Sequence, residues 1–488
     1  MNTETYSVNN LTMLMDFYEL TMANGYFNSD LKDTCAYFDM FFRKIPDDGG
    51  FAVMAGVHQL IEYLNDLHFT QNDINFLRKK GFFSEEFLDY LKNFNFECDV
   101  WAVEEGTPIF PNEPIVIVKG PIIQAQIVET MILLNVNHQS LIATKANRIC
   151  HAALGRDVME FGSRRAQGFD GAVYGARAAY IGGCMGTSCI LSERDFDIPA
   201  LGTMAHSWVQ MFETELIAFK TYAKQYPSSC TLLVDTYNVL KSGIPNAIKT
   251  FNEVVIPAGY RPYAVRIDSG DLTYLSKKAR KMLDDAGFPD CKIIASNSLD
   301  EFIIRDMINQ GAKVDMFGVG ERLITSSSSP VFGGVYKLTA TEHDGVIVPK
   351  IKLSENVTKI TIPCFKSLWR LFDNCSGKAL ADVVTLHDEF IDDSSDYEIF
   401  DPEYTWKRKT ITNFTAKKLL IKIFENGKCI YKNKNLSDIR DFCSEQVGLL
   451  WDEVLRFENP HKYYVDLSQN LWDERQKLLD YYSKGLSK

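Results

Sequence analysis

The chain has 488 residues, 46% hydrophobic and 24% charged, enough apolar length for two or three domains with buried cores. Its formal net charge of −12 at pH 7 speaks against a dedicated nucleic-acid binder, which carries a basic surplus or stripe. Anionic substrates stay open, because a pocket can be basic on an acidic protein. The polar first residues lack the basic-then-apolar layout of a signal peptide, and no apolar run reaches the roughly 18 residues of a membrane span, so a cytoplasmic protein with no membrane partner is expected. The 11 cysteines are scattered without a C-x-x-C pair and read as buried free thiols; Cys184 and Cys189 are the closest two, and no metal-ligand set is assigned.

Residues 9–27 read as a helix capped by Asn9 or Asn10, with Leu11, Leu14, Met15, Tyr18 and Met22 on one apolar stripe. A strand at 36–42 comes next, then a basic-to-glycine loop at 43–50 and helices at 54–66 and 84–93. Residues 101–119 alternate like strands broken by Pro108, Pro111 and Pro114, which suits a small sheet domain. Gln124, Gln126 and Glu129 make 122–136 a buried helix and not a membrane span.

From about residue 137 short apolar runs alternate with helical stretches such as 272–286 and 299–310. The runs are 157–161, 180–185, 200–204, 231–234, 263–267, 292–295 and 314–317, each small or β-branched as in strands buried on both faces. Repeated strand–helix units predict a parallel (β/α) barrel or open sheet. Residues 332–338 are the last barrel strand or a return into the small domain. Beyond them come an acidic solvated connector at 387–404, a hairpin at 418–431 around Asn426-Gly427, and a charged amphipathic helix from Asn470.

Each apolar run ends in polar or glycine residues. In order these are Phe161-Gly162-Ser163-Arg164-Arg165, Gly186-Thr187-Ser188, His206-Ser207, Asp235-Thr236, Asp268-Ser269-Gly270-Asp271, Ser296-Asn297 and Gly318-Val319-Gly320. In a (β/α) barrel these ends converge on one face, where active sites sit. Arg164, Arg165 and Arg266 offer bidentate contacts to carboxylate or phosphate. The glycines at 318, 320 and 186 permit close phosphate approach. Asp235 and Asp268 suit sugar hydroxyls, a developing positive charge or a divalent ion, and Phe161 presents a plane for a flat ring. His206, at a strand-to-helix junction, can be a base, a donor or a nucleophile toward phosphorus. The set describes a site for an aromatic acid and a phosphorylated sugar.

Five segments carry a resemblance: Asp16-Phe17-Tyr18-Glu19-Leu20-Thr21-Met22-Ala23, Glu160-Phe161-Gly162-Ser163-Arg164-Arg165, Gly202-Thr203-Met204-Ala205-His206-Ser207, Arg266-Ile267-Asp268-Ser269-Gly270-Asp271-Leu272 and Gly333-Gly334-Val335-Tyr336-Lys337-Leu338. In this order they resemble the nicotinate phosphoribosyltransferase family, and Asn459-Pro460-His461 is similar to a bacterial-type segment of it. The resemblance implies an irregular (β/α) barrel of the type II phosphoribosyltransferase kind, with a smaller open-faced α/β sandwich domain and a C-terminal extension. The corresponding domains are 1–136, completed by residues after about 340, then 137–338 and 339–488.

It further implies nicotinate and 5-phosphoribosyl 1-pyrophosphate as substrates, ATP and Mg²⁺ as cofactors, and a homodimer working in NAD salvage. His206 matches a histidine phosphorylated by ATP, and Tyr18 a tyrosine reaching the neighbouring subunit's nicotinate ring, opposite Phe161. Thr203 and Arg266 match nicotinate-contacting positions, Arg164 serves the carboxylate or the ribose phosphate, and the Gly318–Gly320 turn matches the phosphate loop. Ser296 and Asn297 are carried as further substrate-binding positions, and Asp235 and Asp268 as catalytic carboxylates. Relatives using nicotinamide carry an aspartate where this chain has Ser188, so nicotinate is favoured over nicotinamide. Glu321 departs from a threonine seen in some members and is expected to point away from phosphate. The alternatives are a nicotinamide phosphoribosyltransferase and a non-catalytic nucleotide-binding regulator on the same scaffold.

Overall fold

The computed structural model describes residues 10–356 and 359–485. The chain forms two compact units, one of residues up to Leu141 together with those from Val331 on, the other Ile142–Pro330.

The first unit is built on a seven-stranded antiparallel sheet whose central strands are Cys35–Phe41, Val116–Pro121 and Asp99–Val103. Val335–His343 pairs antiparallel with Cys35–Phe41, so the stretch after residue 331 is the return into this unit and not a further strand of the parallel sheet. Ala36, Phe38 and Met40 are buried on one face with Leu20 and Ala23 of the helix Phe17–Phe27. A second sheet orders Phe414–Lys418, Lys366–Asp373, Ala379–Leu386 and Val465–Leu467. The hairpin forms with Asn426 and Gly427 at its tip, both at positive φ (47° and 74°), the conformation a two-residue turn demands.

Three expectations here are corrected. The first helix starts at Phe17, not near residue 9. Asn10 instead accepts from the Thr12 N–H at 2.8 Å and donates to the His68 carbonyl at 2.8 Å, anchoring a turn; Asn9 lies outside the described residues. The stripe of Leu11, Leu14, Tyr18 and Met22 is exposed, and Glu19, Leu20 and Ala23 face the core. The acidic connector contains a strand, Tyr397–Phe400, because Ile399 and Phe400 find buried positions against Arg408–Ile411.

The second unit holds a six-stranded parallel sheet in the order Gly186–Thr187, Asp157–Glu160, Met316–Val319, Lys292–Ser296, Ala264–Ile267 and Thr231–Leu233. Neighbours follow chain order except that Met316–Val319 pairs with Asp157–Glu160, joining the end of the series to its start. A single parallel bridge ties Thr187 to Ala200, and among the described residues no ladder joins Ala200 to Thr231, so the sheet stays open between these two edges.

Two predicted strands fail. Residues 180–185 are mostly the end of the helix Phe169–Ile181 and its Gly182-Gly183 exit, with Gly183 at φ 116°. Residues 200–204 give only that bridge, since Pro199 lacks an N–H and Gly202 has no side chain to pack. A short apolar run does not distinguish a strand from a buried helix end. Among the described residues no helix is long and apolar enough to cross a membrane.

Candidate functional site

The ends of the parallel strands are tied to one another by side chains. Arg266, the third residue of Ala264–Ile267, is mostly buried and donates from Nε to Ser296 Oγ (3.1 Å) and from Nη1 to Thr203 Oγ1 (2.9 Å). Its Nη2 lies 3.5 Å from Asp268 Oδ1, and its guanidinium carbon stands 6.0 Å from the centre of the Phe161 ring. Ser296 Oγ donates to Asp268 Oδ1, so one carboxylate oxygen serves both the serine and the arginine.

Asp235 fixes the next loop. Its Oδ2 accepts from the Asp268 N–H at 3.0 Å and from Ser269 Oγ at 2.5 Å, while Oδ1 is buried with no hydrogen-bond partner among the described residues. A buried orphan carboxylate oxygen is costly and marks a place where a ligand hydroxyl or a cation would be welcome.

His206 opens the short helix His206–Gln210. Its Nδ1 is 3.2 Å from Thr236 Oγ1 and its Nε2 3.7 Å from Asp268 Oδ2, with about 40% of the side chain exposed. Each ring nitrogen thus has a neighbour, while the side chain stays within reach of solvent.

On the other side, Glu160 organises the loop that carries Phe161. Its carboxylate accepts from the Gly162 N–H and from Thr187 Oγ1 (2.6 Å), and burial pushes its pKa up. The Phe161 N–H bonds the Val319 carbonyl at 2.7 Å, and the Ser188 N–H bonds the Glu160 carbonyl at 2.8 Å. Ser163 Oγ lies 3.2 Å from Ser188 Oγ, and Arg164 and Asn297 are exposed. Asn297 and Ser298 both adopt positive φ (94° and 52°), an uncommon backbone for such residues at the end of a strand.

Gly318 is a strand residue, in register with Met159 on one side and Ser296 on the other, and is not a loop residue. A Cβ there would lie 2.6 Å from a Phe161 ring carbon, so glycine serves the packing of that ring. Gly320 alone has loop geometry, just before the turn of helix Glu321–Ile324. Glu321 turns to Arg165 (3.6 Å), both well exposed.

Phe161, Thr203, His206, Asp235, Arg266, Asp268, Ser296 and Gly318 are therefore linked by direct contacts. Tyr18 belongs to the first unit, on the exposed side of its helix. Sequence reasoning placed Ser163, Thr236 and Ser269 at the strand ends without giving them a role, and gave Glu160 none. The fold supplies their partners: Ser188, His206, Asp235 and the Gly162 N–H with Thr187.

Family models described as the N-terminal domain of nicotinate phosphoribosyltransferase, the nicotinate phosphoribosyltransferase family and its C-terminal domain match residues 13–137, 157–362 and 365–475. The chain is 42% identical to nicotinate phosphoribosyltransferase of Bacillus subtilis (strain 168), over 96% of this chain and 95% of that one. It is 34% identical to the Dictyostelium discoideum protein of that name, covering 96% and 88%. The crystal structure of human nicotinic acid phosphoribosyltransferase superposes with a TM-score of 0.82 at 27% identity, covering 96% of this chain and 100% of that one. A nicotinate-nucleotide pyrophosphorylase from Pyrococcus furiosus shares the fold at a TM-score of 0.66 and 22% identity, covering 90% and 95%. With its linked strand ends and this likeness along nearly its whole length, the chain belongs to the nicotinate phosphoribosyltransferase family.

Proposed function

We propose that the protein transfers a 5-phosphoribosyl group from 5-phosphoribosyl 1-pyrophosphate to the ring nitrogen of nicotinate, giving nicotinate mononucleotide and pyrophosphate for NAD salvage, with ATP hydrolysis coupled through His206. The observation that carries the reading is Arg266, held by Thr203 and Ser296 beside the Phe161 ring, with Asp268 and His206 next in the same chain of contacts. An aromatic acid needs that pairing of a flat apolar surface with a fixed guanidinium.

The C1–oxygen bond breaks with its electron pair leaving on pyrophosphate, and the nicotinate nitrogen lone pair forms the new bond to C1. Asp235 and Asp268 stabilise the positive charge that develops on the ribose. Arg164, Asn297 and the backbone at Gly320 bind the phosphates, while Ser188 and Ser163 border the nicotinate without adding a charge that would repel its carboxylate. In the coupling reaction an unprotonated His206 nitrogen attacks the terminal phosphorus of ATP. The N–P bond forms as the P–O bond to ADP breaks, and water later removes the group as phosphate. Asp268 stabilises the charge on the imidazole during attack.

Mg²⁺ fits the unpartnered Asp235 Oδ1 and the neighbouring Asp268, both hard oxygen donors. It would supply positive charge for the leaving pyrophosphate. The exposed Leu11, Leu14, Phe17, Tyr18 and Met22 support a homodimer in which Tyr18 faces the neighbouring subunit's nicotinate. The 11 free cysteines suit a reducing cytoplasm.

A product assay with nicotinate and nicotinamide side by side, with and without ATP, tests the reading. Nicotinate mononucleotide is the expected product, with ATP raising its yield. Incubation with ATP and Mg²⁺ should leave an acid-labile phosphate on wild type and none on His206→Ala. Phosphate-free wild type that makes no mononucleotide would instead favour a regulator on this scaffold.

A further inference from the structure

A cavity of about 1040 Å³ lies wholly within the first unit, between the loop at 43–50, the turn at 110–112 and segments 399–409 and 459–475. Seven lysines and arginines line it against four aspartates and glutamates, a local excess of positive charge on a chain of net charge −12. Such a pocket concentrates anions.

Two of the four carboxylates are engaged elsewhere. Asp401 accepts from the N–H groups of Glu403 (2.9 Å) and Tyr404 (3.0 Å), and Asp48 pairs with Lys44 at 2.9 Å on the solvent side. Of the cations, Lys44 and Arg408 pair with Asp48 and Glu398, and Lys407 and Lys409 lie over the Tyr404 and Tyr464 rings at 4.4 and 5.8 Å. Among the described residues, Lys409, Lys462 and Arg475 form no ion pair, although the Glu403 charge acts on Arg475 from further off and that of Asp466 neighbours Lys462. Arg475 Nε is buried and has no hydrogen-bond partner among the described residues. An orphaned guanidinium N–H is expensive, and a phosphate oxygen satisfies it with a charge-assisted bond.

Apolar side chains share the lining. Ile360, Ile362, Val384 and Ile399 contribute to it together with Phe110 and Tyr463, whose stacked rings are 4.0 Å apart, and Ile399 is the cross-strand partner of Lys409. Phosphate-seeking cations beside an aliphatic surface suit a molecule that is anionic at one end and a flat ring at the other. The volume is at the upper end of the roughly 300–1,000 Å³ of small-molecule pockets, room for such a ligand with bound water. Asn459-Pro460-His461, which the phosphoribosyl transfer leaves without a task, forms part of the lining.

We propose that this cavity binds a nucleotide, its phosphates on Lys409, Lys462 and Arg475 and its base against the isoleucine side chains, as a site separate from the His206 cluster. None of its lining belongs to residues 142–330, so the proposal stands whether or not the catalytic assignment does.

Photolabelling of the full chain with 2-azido-ADP, followed by peptide mapping, tests it. Label is expected in the segments around 399–410 and 459–475, protected by excess ADP. The double variant Lys409→Glu/Lys462→Glu, at two exposed positions, should lower that labelling at least tenfold and leave kcat at saturating substrates unchanged. Arg475→Gln should lower it in the same way, with circular dichroism reporting its folding. Label confined to residues 157–320, no label at all, or cavity label that survives the charge reversal would overturn the proposal.

Discussion

Arg266 takes its direction from oxygens on three other residues, and that sets what a substitution can do. Lysine keeps the charge but cannot make the forked contacts, so Arg266→Lys is expected to lower kcat/KM for nicotinate by about 2–3 kcal/mol, or roughly 30- to 150-fold. Steady-state kinetics with the phosphoribosyl donor saturating would measure it. Ser188 bears on selectivity. Its hydroxyl lies 3.2 Å from that of Ser163, and Ser188→Asp introduces a charge that repels a carboxylate and accepts from an amide. The ratio of kcat/KM for nicotinamide over nicotinate should rise about tenfold or more, and an unchanged ratio would remove Ser188 from the account.

At the level of elements, the helix Phe17–Phe27 buries a carboxylate where its sequence shows an apolar stripe. Glu19 accepts from the Thr130 N–H (3.1 Å) and Oγ1, with its second oxygen unpartnered, and burial raises its pKa to about 7. The folded protein therefore holds a proton that the unfolded chain releases near its ordinary value of 4.5. Stability from this group is complete at pH values below that and is lost as the pH rises toward 7. Glu19→Gln keeps an acceptor for Thr130 without the charge. It should match wild type at about pH 4 and exceed it by about 1–2 kcal/mol at pH 8, after allowance for solvent screening, in urea titrations at the two pH values.

The strand Met316–Val319 offers a second test of this kind. Gly318→Ala must move the Phe161 ring, so KM for nicotinate should rise several-fold while overpacking costs about 1–3 kcal/mol.

For the whole molecule, the proposed exchange of Tyr18 between subunits has a direct consequence. Mixing Tyr18→Ala and His206→Ala proteins, after dissociation and reassociation, should recover up to about a quarter of wild-type activity, because half the dimers then carry one intact site. A site complete within one chain would recover none.

Much of this is legible along the chain. Parallel strands buried on both faces must be apolar, and their polar ends must break the run, so 157–161, 231–234, 263–267, 292–295 and 314–317 stand out with His206, Asp235, Asp268 and Ser296 nearby. Runs of that length do not say whether a neighbour will pair with them, and 180–185 and 200–204 mislead for that reason.

Local pattern and composition, acting through backbone preference and burial, determined the alternating architecture, the order of the strand ends and the residue types offered at them. Only the tertiary structure decided the rest: that Glu160 is buried to hold the Phe161 loop, that Gly318 yields its side chain to an aromatic ring, and that the Tyr18 stripe faces outward. Each of these depends on atoms that folding brings within a few ångströms and that the order of residues keeps apart.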